Sequence, residues 1–258
     1  MQTQNQLNIN LAGVVILAGG LSSRMGSPKA LLTLPTNETL LEYHIRHAHC
    51  LAVPILIADN GQQFMSKLAA DDCLANDMDL KSIQDYQPSD ASSSSNISSH
   101  MDSQGTLSGN KGVGPLGAIA AAMQQLTLDS GLDSSSSIQS MSHQGLADSW
   151  LLVISCDSLV TAPALWQVLT SDKHPPAEAA TVSCLSDKDH LYPLLGLYHL
   201  SVADELMAYL DQGERRVMRF IEPRLQKVAL PTEWQHMTNL NTPEAFELAC
   251  QTFVNERL

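Results

Sequence analysis

Gly13-Val14-Val15-Ile16-Leu17-Ala18-Gly19-Gly20-Leu21-Ser22-Ser23-Arg24-Met25-Gly26-Ser27-Pro28-Lys29 is the stretch that decides the fold. Its first part is a β-branched apolar run ending in glycines, the pattern of a buried strand over Gly13–Ala18. A polar loop follows from Gly19 to Lys29. Glycines let a backbone turn sharply and approach a ligand without Cβ interference. Ser22 and Ser23 add hydroxyls, and Arg24 and Lys29 place two cations on the same loop. Free N–H groups, hydroxyls and cations together suit the phosphates of a nucleotide. The spacing matches neither GxxxxGK[ST] nor GxGxxG, so P-loop and dinucleotide-fingerprint readings fail. The competing reading, a glycine turn with solvated charges, does not account for two cations on one loop of an acidic chain.

Working outward, strands and helices alternate. Helical spacing of apolar residues marks Leu40–Leu51, with Thr36 or Asn37 as caps. Val53–Ile57 reads as a strand, Gln62–Ala70 as a helix, and Leu80–Ile83 as a strand running into Asp85. Gly114–Leu126 is an alanine-rich helix, Trp150–Ser155 a strongly apolar strand, and Ala162–Leu169 a helix. Ala179–Leu185, Leu194–His199 and Leu225–Leu230 read as strands; Val202–Leu210, Arg215–Ile221 and Pro243–Ala249 read as helices. This alternation predicts an α/β fold, Rossmann-like in its layering, with a mostly parallel sheet and helices on both faces. No repeat of solenoid period is present.

The length, 258 residues, suits one domain over residues 1–258. Two stretches, at about 89–112 and 129–149, are rich in Ser with Asp, Asn, Gly and Gln. They hold too few apolar residues to offset ordering entropy, so they are expected to be disordered insertions. The net charge of −13 disfavours nucleic acid and anionic lipid as partners. A small polyphosphate is still acceptable, because local N–H groups and one or two cations hold it. Five scattered cysteines without CxxC spacing predict buried free thiols rather than a disulfide or zinc framework. No apolar run is long enough to span a bilayer, and residues 1–11 carry no signal pattern. A cytoplasmic protein is expected.

LAGGLSSRMGSPK resembles the LAGGxxxRMGxxK loop of the molybdenum cofactor guanylyltransferases, nucleotidyltransferases of a nucleotide-diphospho-sugar-transferase-like α/β fold. The resemblance extends to Gly114-Pro115-Leu116, Cys156-Asp157, Tyr192-Pro193-Leu194, Gly213-Glu214-Arg215-Arg216-Val217-Met218 and Asn239-Leu240-Asn241-Thr242-Pro243. It implies that Leu17, Ala18, Gly19 and Gly20 contact a guanine nucleotide and that Lys29, with Arg24, meets its phosphates. It further implies that Asp85 is a nucleotide-site aspartate and Asp157 a Mg²⁺ ligand. Asn239 and Asn241, and less strongly Arg215, fall near the acceptor. The implied reaction moves GMP from GTP to the phosphate of molybdopterin. Implied downstream partners are cofactor-accepting apo-enzymes or chaperones. The Gly19-Gly20 pair favours the guanylyl branch, since related cytidylyltransferases resemble LAAG. Two departures stand out: Ala58-Asp59-Asn60 where the family often has NAN, and Ser158-Leu159 where its CDxP motif has a proline.

Asp157 is also argued from the residues themselves. Ligands of open α/β sheets bind beyond the carboxyl ends of strands. The first loop, Asp85 and Asp157 all follow predicted strands, so a parallel sheet brings them to one edge. A carboxylate beside a triphosphate needs a divalent cation between, and Mg²⁺ takes one or two carboxylates plus phosphate oxygens. The competing roles are an N-cap for Asp157 and a plain turn for Asp85. His44, His47 and His49 read as surface or packing residues, and Glu214–Arg216 equally as a solvated helix start. Three other functions stay open: a cytidylyltransferase for the same cofactor, a sugar-phosphate nucleotidyltransferase, and a non-catalytic cofactor carrier.

Overall fold

The computed structural model describes residues 9–19, 27–65, 79–88, 113–129, 148–171 and 180–255. β1 (Asn10–Leu17) carries the opening apolar run, with Val14, Val15 and Ile16 fully buried. α1 (Leu40–His49), β2 (Ile55–Ala58) and β3 (Leu80–Ile83) follow. Then come α2 (Pro115–Asp129), β4 (Ser149–Ser155) and α3 (Ala162–Leu169). The second half adds β5 (Val182–Ser186), β6 (Leu191–His199), α4 (Ala203–Asp211), α5 (Val217–Ile221), β7 (Leu225–Ala229) and α6 (Pro243–Asn255).

The strands form one seven-stranded sheet in the order β3-β2-β1-β4-β6-β5-β7. β3, β2, β1 and β4 run parallel to their neighbours. β6 is antiparallel to β4 and β5, and β7 is parallel to β5. Every residue of the central β4 is buried, as expected of a strand covered on both faces. Alternation along β1 assigns the two layers. Val14 and Ile16 pack with Leu41 and Ile45 of α1 and Leu165 and Leu169 of α3. Val15 packs with Leu116, Ile119 and Met123 of α2 and Leu206 and Leu210 of α4. A smaller cluster joins Leu40 and Tyr43 of α1 to Leu159, Leu240 and Ala249, fastening α6 and the segment before it over the loop after β4.

The predicted α/β fold with helices on both faces is thus observed, with several corrections. The cap of α1 is Thr39, not Thr36 or Asn37; its side chain accepts from the Glu42 N–H while the Glu42 carboxylate accepts from the Thr39 N–H. Gly114 stands outside α2 at φ +80, where a glycine is favoured, and the helix opens at Pro115 and runs on to Asp129. β6 starts at Leu191 and passes through Pro193. It tolerates that proline because its pairing with β5 jumps from Tyr192 to Gly196, so Pro193 owes no ladder N–H. Asp129 and Ser149, assigned to an insertion by composition, close α2 and open β4. The remainder of both Ser-rich stretches, most of the helix predicted over 62–70, Gly20 and Arg24 lie outside the described residues. Of the cysteines, Cys156 and Cys184 are buried as expected, but Cys50 is exposed. Among the described residues no helix is long and apolar enough to cross a membrane.

Candidate active site

Parallel pairing levels the strand ends. Leu17 is in register with both Ala58 and Ser155, and Ala58 with Ile83. The residues that follow, Ala18-Gly19, Asp59-Asn60, Gln84-Asp85 and Cys156-Asp157, therefore emerge along one edge. Gly19 is required there by packing: a Cβ on it would stand 2.9 Å from the Cβ of Asn60. The same contact draws the first two strand-end turns together. The Leu17 carbonyl accepts from the Cys156 N–H at 3.1 Å, and the Ala18 N–H donates to Ala58 at 2.9 Å.

Lys29 comes to this edge because its neighbour Ala30 is anchored in the core, in the one-turn 3₁₀ segment Lys29–Leu31. Its ammonium donates to Oδ1 of Asn241. Asn239 stands in the left-handed region at φ 64 and accepts, through Oδ1, from the Asn241 side-chain amide. That bond turns the Asn241 oxygen toward Lys29. Between the two asparagines, the Leu240 N–H donates to the Asp157 carbonyl at 2.7 Å. Burial lowers the pKa of Lys29 from its ordinary value, and the charge of Asp157 opposes that shift. Lys29, Asp157, Asn239 and Asn241, 212 positions apart from first to last, thus form one cluster.

Asp157 is not an N-cap, since Thr161 caps α3. The adjacent Cys156 is fully buried and its thiol is pushed above its ordinary pKa by burial, so it stays a protonated packing residue. Asp85 is half-buried beside Val113 and Gly117, and burial raises its pKa. The next residue, Tyr86, donates its hydroxyl to the Asp211 carboxylate at 3.1 Å. This bond brings the end of α4, and with it Glu214–Arg216, to the same edge. Arg215 is exposed, and its guanidinium donates to the carbonyls of Leu210 and Glu214, so it closes the C-terminus of α4. Among the described residues no group of three or more His, Cys, Asp or Glu side chains is placed to hold a metal. A single carboxylate beside a lysine is the arrangement found.

Residues 14–228 match the MobA-like NTP transferase domain family. The chain belongs to this family. The chain is 29% identical over 110 residues to the molybdenum cofactor guanylyltransferase of Yersinia pestis strain Pestoides F, covering 41% of this chain and 54% of that protein. The chain thus spans about half the length of the curated relatives it matches. In fold it is similar to molybdopterin-guanine dinucleotide biosynthesis protein A from Archaeoglobus fulgidus, with TM-score 0.57, 18% identity, and 94% and 99% of the two chains covered. It is also similar to HddC from Yersinia pseudotuberculosis complexed with GMP-PN, with TM-score 0.52, 14% identity, and 94% and 100% covered.

Both departures of this MobA-like domain have a structural reason. Ala58 is a buried strand residue, and Asp59 turns inward. Its carboxylate accepts from the N–H groups of Gly61 at 3.1 Å and Phe64 at 2.9 Å. The position of the family's first asparagine is thus a buried strand residue, and the carboxylate that follows it closes the turn. Asp59-Asn60-Gly61 is itself a turn signal in the sequence. At the second departure the Ser158 and Leu159 carbonyls are met from α1 by His44, expected as a surface or packing residue, and by Tyr43.

Proposed function

We propose that this chain is a molybdenum cofactor guanylyltransferase, moving GMP from GTP to the phosphate of molybdopterin. The observation that carries the reading is the meeting of Lys29, Asp157 and Asn241 at the carboxyl edge of the sheet. The loop resemblance, the family membership and the guanylyltransferase relatives support it. An oxygen of the molybdopterin phosphate forms a bond to the α-phosphorus of GTP, the bond to the bridging β-phosphate oxygen breaks, and pyrophosphate leaves. The nucleophile is already ionised, so no strong general base is needed; catalysis is positioning and charge neutralisation.

In this reading Lys29 and Arg24 neutralise the phosphates. With the Leu17 carbonyl and the Ala18 N–H spent on the sheet, the guanine is read by the Ala18 carbonyl, Gly19 and Gly20. Asp85 faces the nucleotide, and Asn239, Asn241 and Arg215 border the acceptor. One half-buried carboxylate fits Mg²⁺, which is held by one or two carboxylates with phosphate oxygens rather than by a full protein cage. Bound there, Mg²⁺ would offset negative charge on the reacting phosphates. Asp157 is the residue that would hold it.

Incubating the protein with Mg²⁺, molybdopterin and each NTP in turn, and identifying products by mass spectrometry, tests the reading. The guanine dinucleotide with pyrophosphate is expected. Equal turnover of CTP would replace guanylyl by cytidylyl transfer, and no product with any NTP would leave a cofactor carrier.

A further inference from the structure

The three residues after Cys156 lie outside regular structure, so each carbonyl needs a partner from elsewhere. Each has one. The Asp157 carbonyl accepts from the Leu240 N–H at 2.7 Å. The Ser158 carbonyl lies 2.9 Å from Nε2 of His44. The Leu159 carbonyl accepts from the Tyr43 hydroxyl at 2.9 Å. In addition, the Leu159 N–H donates to Met237 at 2.8 Å. A carbonyl only accepts, so the neutral His44 ring carries its proton on Nε2. Nδ1 is buried without a hydrogen-bond partner. An imidazole with one nitrogen unsatisfied is a costly filler where leucine would pack, and its one strong contact is the loop that carries Asp157.

Tyr43 and His44 are consecutive on α1, and α1 is the first helix after the Lys29 turn. The capping box at Thr39 secures its start. Tyr43 also packs with Leu159 and Leu240. One helix therefore connects the loop of Lys29 to the loop of Asp157.

We propose that Tyr43 and His44 are positioning residues that set the Asp157 carboxylate opposite Lys29, in a loop with Leu159 where the family's CDxP motif has a proline. The inference rests on the reading of Asp157 as the phosphate-side carboxylate. It is tested with Tyr43→Phe, His44→Leu, the pair of both, and His44→Gln, whose amide restores a donor near the Nε2 position. Three quantities are measured: Mn²⁺ affinity in the presence of GTP without acceptor, the metal concentration for half-maximal transfer, and amide exchange over residues 156–160.

The pair is expected to weaken Mn²⁺ binding by about tenfold, the scale seen when groups orienting a ligand are lost. Exchange over 156–160 should quicken, and His44→Gln should lie closer to wild type than His44→Leu. If His44→Leu does not fold, Tyr43→Phe, which removes one hydroxyl, carries the test. A lowered melting temperature with unchanged metal affinity and exchange overturns the inference. Asp157→Asn, run alongside, separates the two readings. If that variant binds Mn²⁺ and turns over normally, the assignment of Asp157 itself fails. If it is impaired while the α1 variants match wild type, only the positioning role fails.

Discussion

Lys29 and Asp157 are distant in sequence and face each other because Ala30 and Cys156, their neighbours, are both buried and hold the two backbones in place. The residue-scale consequences are local. Asp157→Asn removes the charge and keeps the shape, so turnover should fall by about 10²-fold or more while the circular dichroism spectrum is unchanged. Near-normal turnover at saturating Mg²⁺ would remove Asp157 from the mechanism. Gly19→Ala acts differently. The added methyl meets the Cβ of Asn60, which cannot swing aside as a flexible side-chain tip would. A stability loss of about 1–3 kcal/mol is expected from urea unfolding. His44 supplies a pH test, because burial lowers its pKa from 6.5 to about 4. The unfolded chain then binds more protons, so this contribution is complete above 6.5 and is lost as pH falls toward 4, on the order of 3 kcal/mol in all. The stability advantage of wild type over His44→Gln should therefore shrink between pH 7 and pH 5. A gap that stays constant would mean that His44 is not held neutral.

At the scale of elements, α1 links more of the molecule than its ten residues suggest. It starts in a capping box, packs against the sheet through Leu41 and Ile45, and bonds the loop after β4 through Tyr43 and His44. Thr39→Ala removes the cap acceptor from the Glu42 N–H, and about 1 kcal/mol of stability should go with it, read as a lower urea midpoint at unchanged slope. An unchanged midpoint would show that the cap is redundant with the core contacts. The helices and strands themselves were largely legible, since apolar periodicity marked all seven strands to within a few residues. Their ends were less so. Thr39 and Thr36 are both acceptable caps by composition, and the choice was made by where Leu40 could reach the core. The start of β6 was misplaced because Pro193 argues against a strand, and only its unpaired position opposite the break in β5 resolves that.

At the scale of the whole molecule, the sheet order places β1 and β4 side by side at the centre, so Leu17 and Asp157 lie at adjoining strand ends although 140 residues separate them. The Ser-rich segments lie in sequence between β3 and α2 and between α2 and β4. Replacing residues 130–147 by a short Gly/Ser linker should leave the melting temperature within a few degrees, because closure entropy changes slowly with loop length. A large drop would show that apolar residues of the segment contribute to the core.

The sequence by itself determined the fold class and half of the candidate site. Strand period, helix period and loop chemistry are properties of neighbouring residues, and they survive reading one residue at a time: the glycine-rich loop, Lys29, and carboxylates at strand ends. The tertiary structure alone decided which of these meet. Only parallel register makes Leu17, Ala58 and Ser155 level, and only the return of the chain after β7 carries Asn239 and Asn241 to Lys29. His44 reads as a surface or packing residue until it is seen against the Ser158 carbonyl, and Tyr43 as one more apolar helix position until it is seen against Leu159. These contacts join segments far apart in the chain. They depend on burial and on unpaired backbone groups that no local pattern encodes.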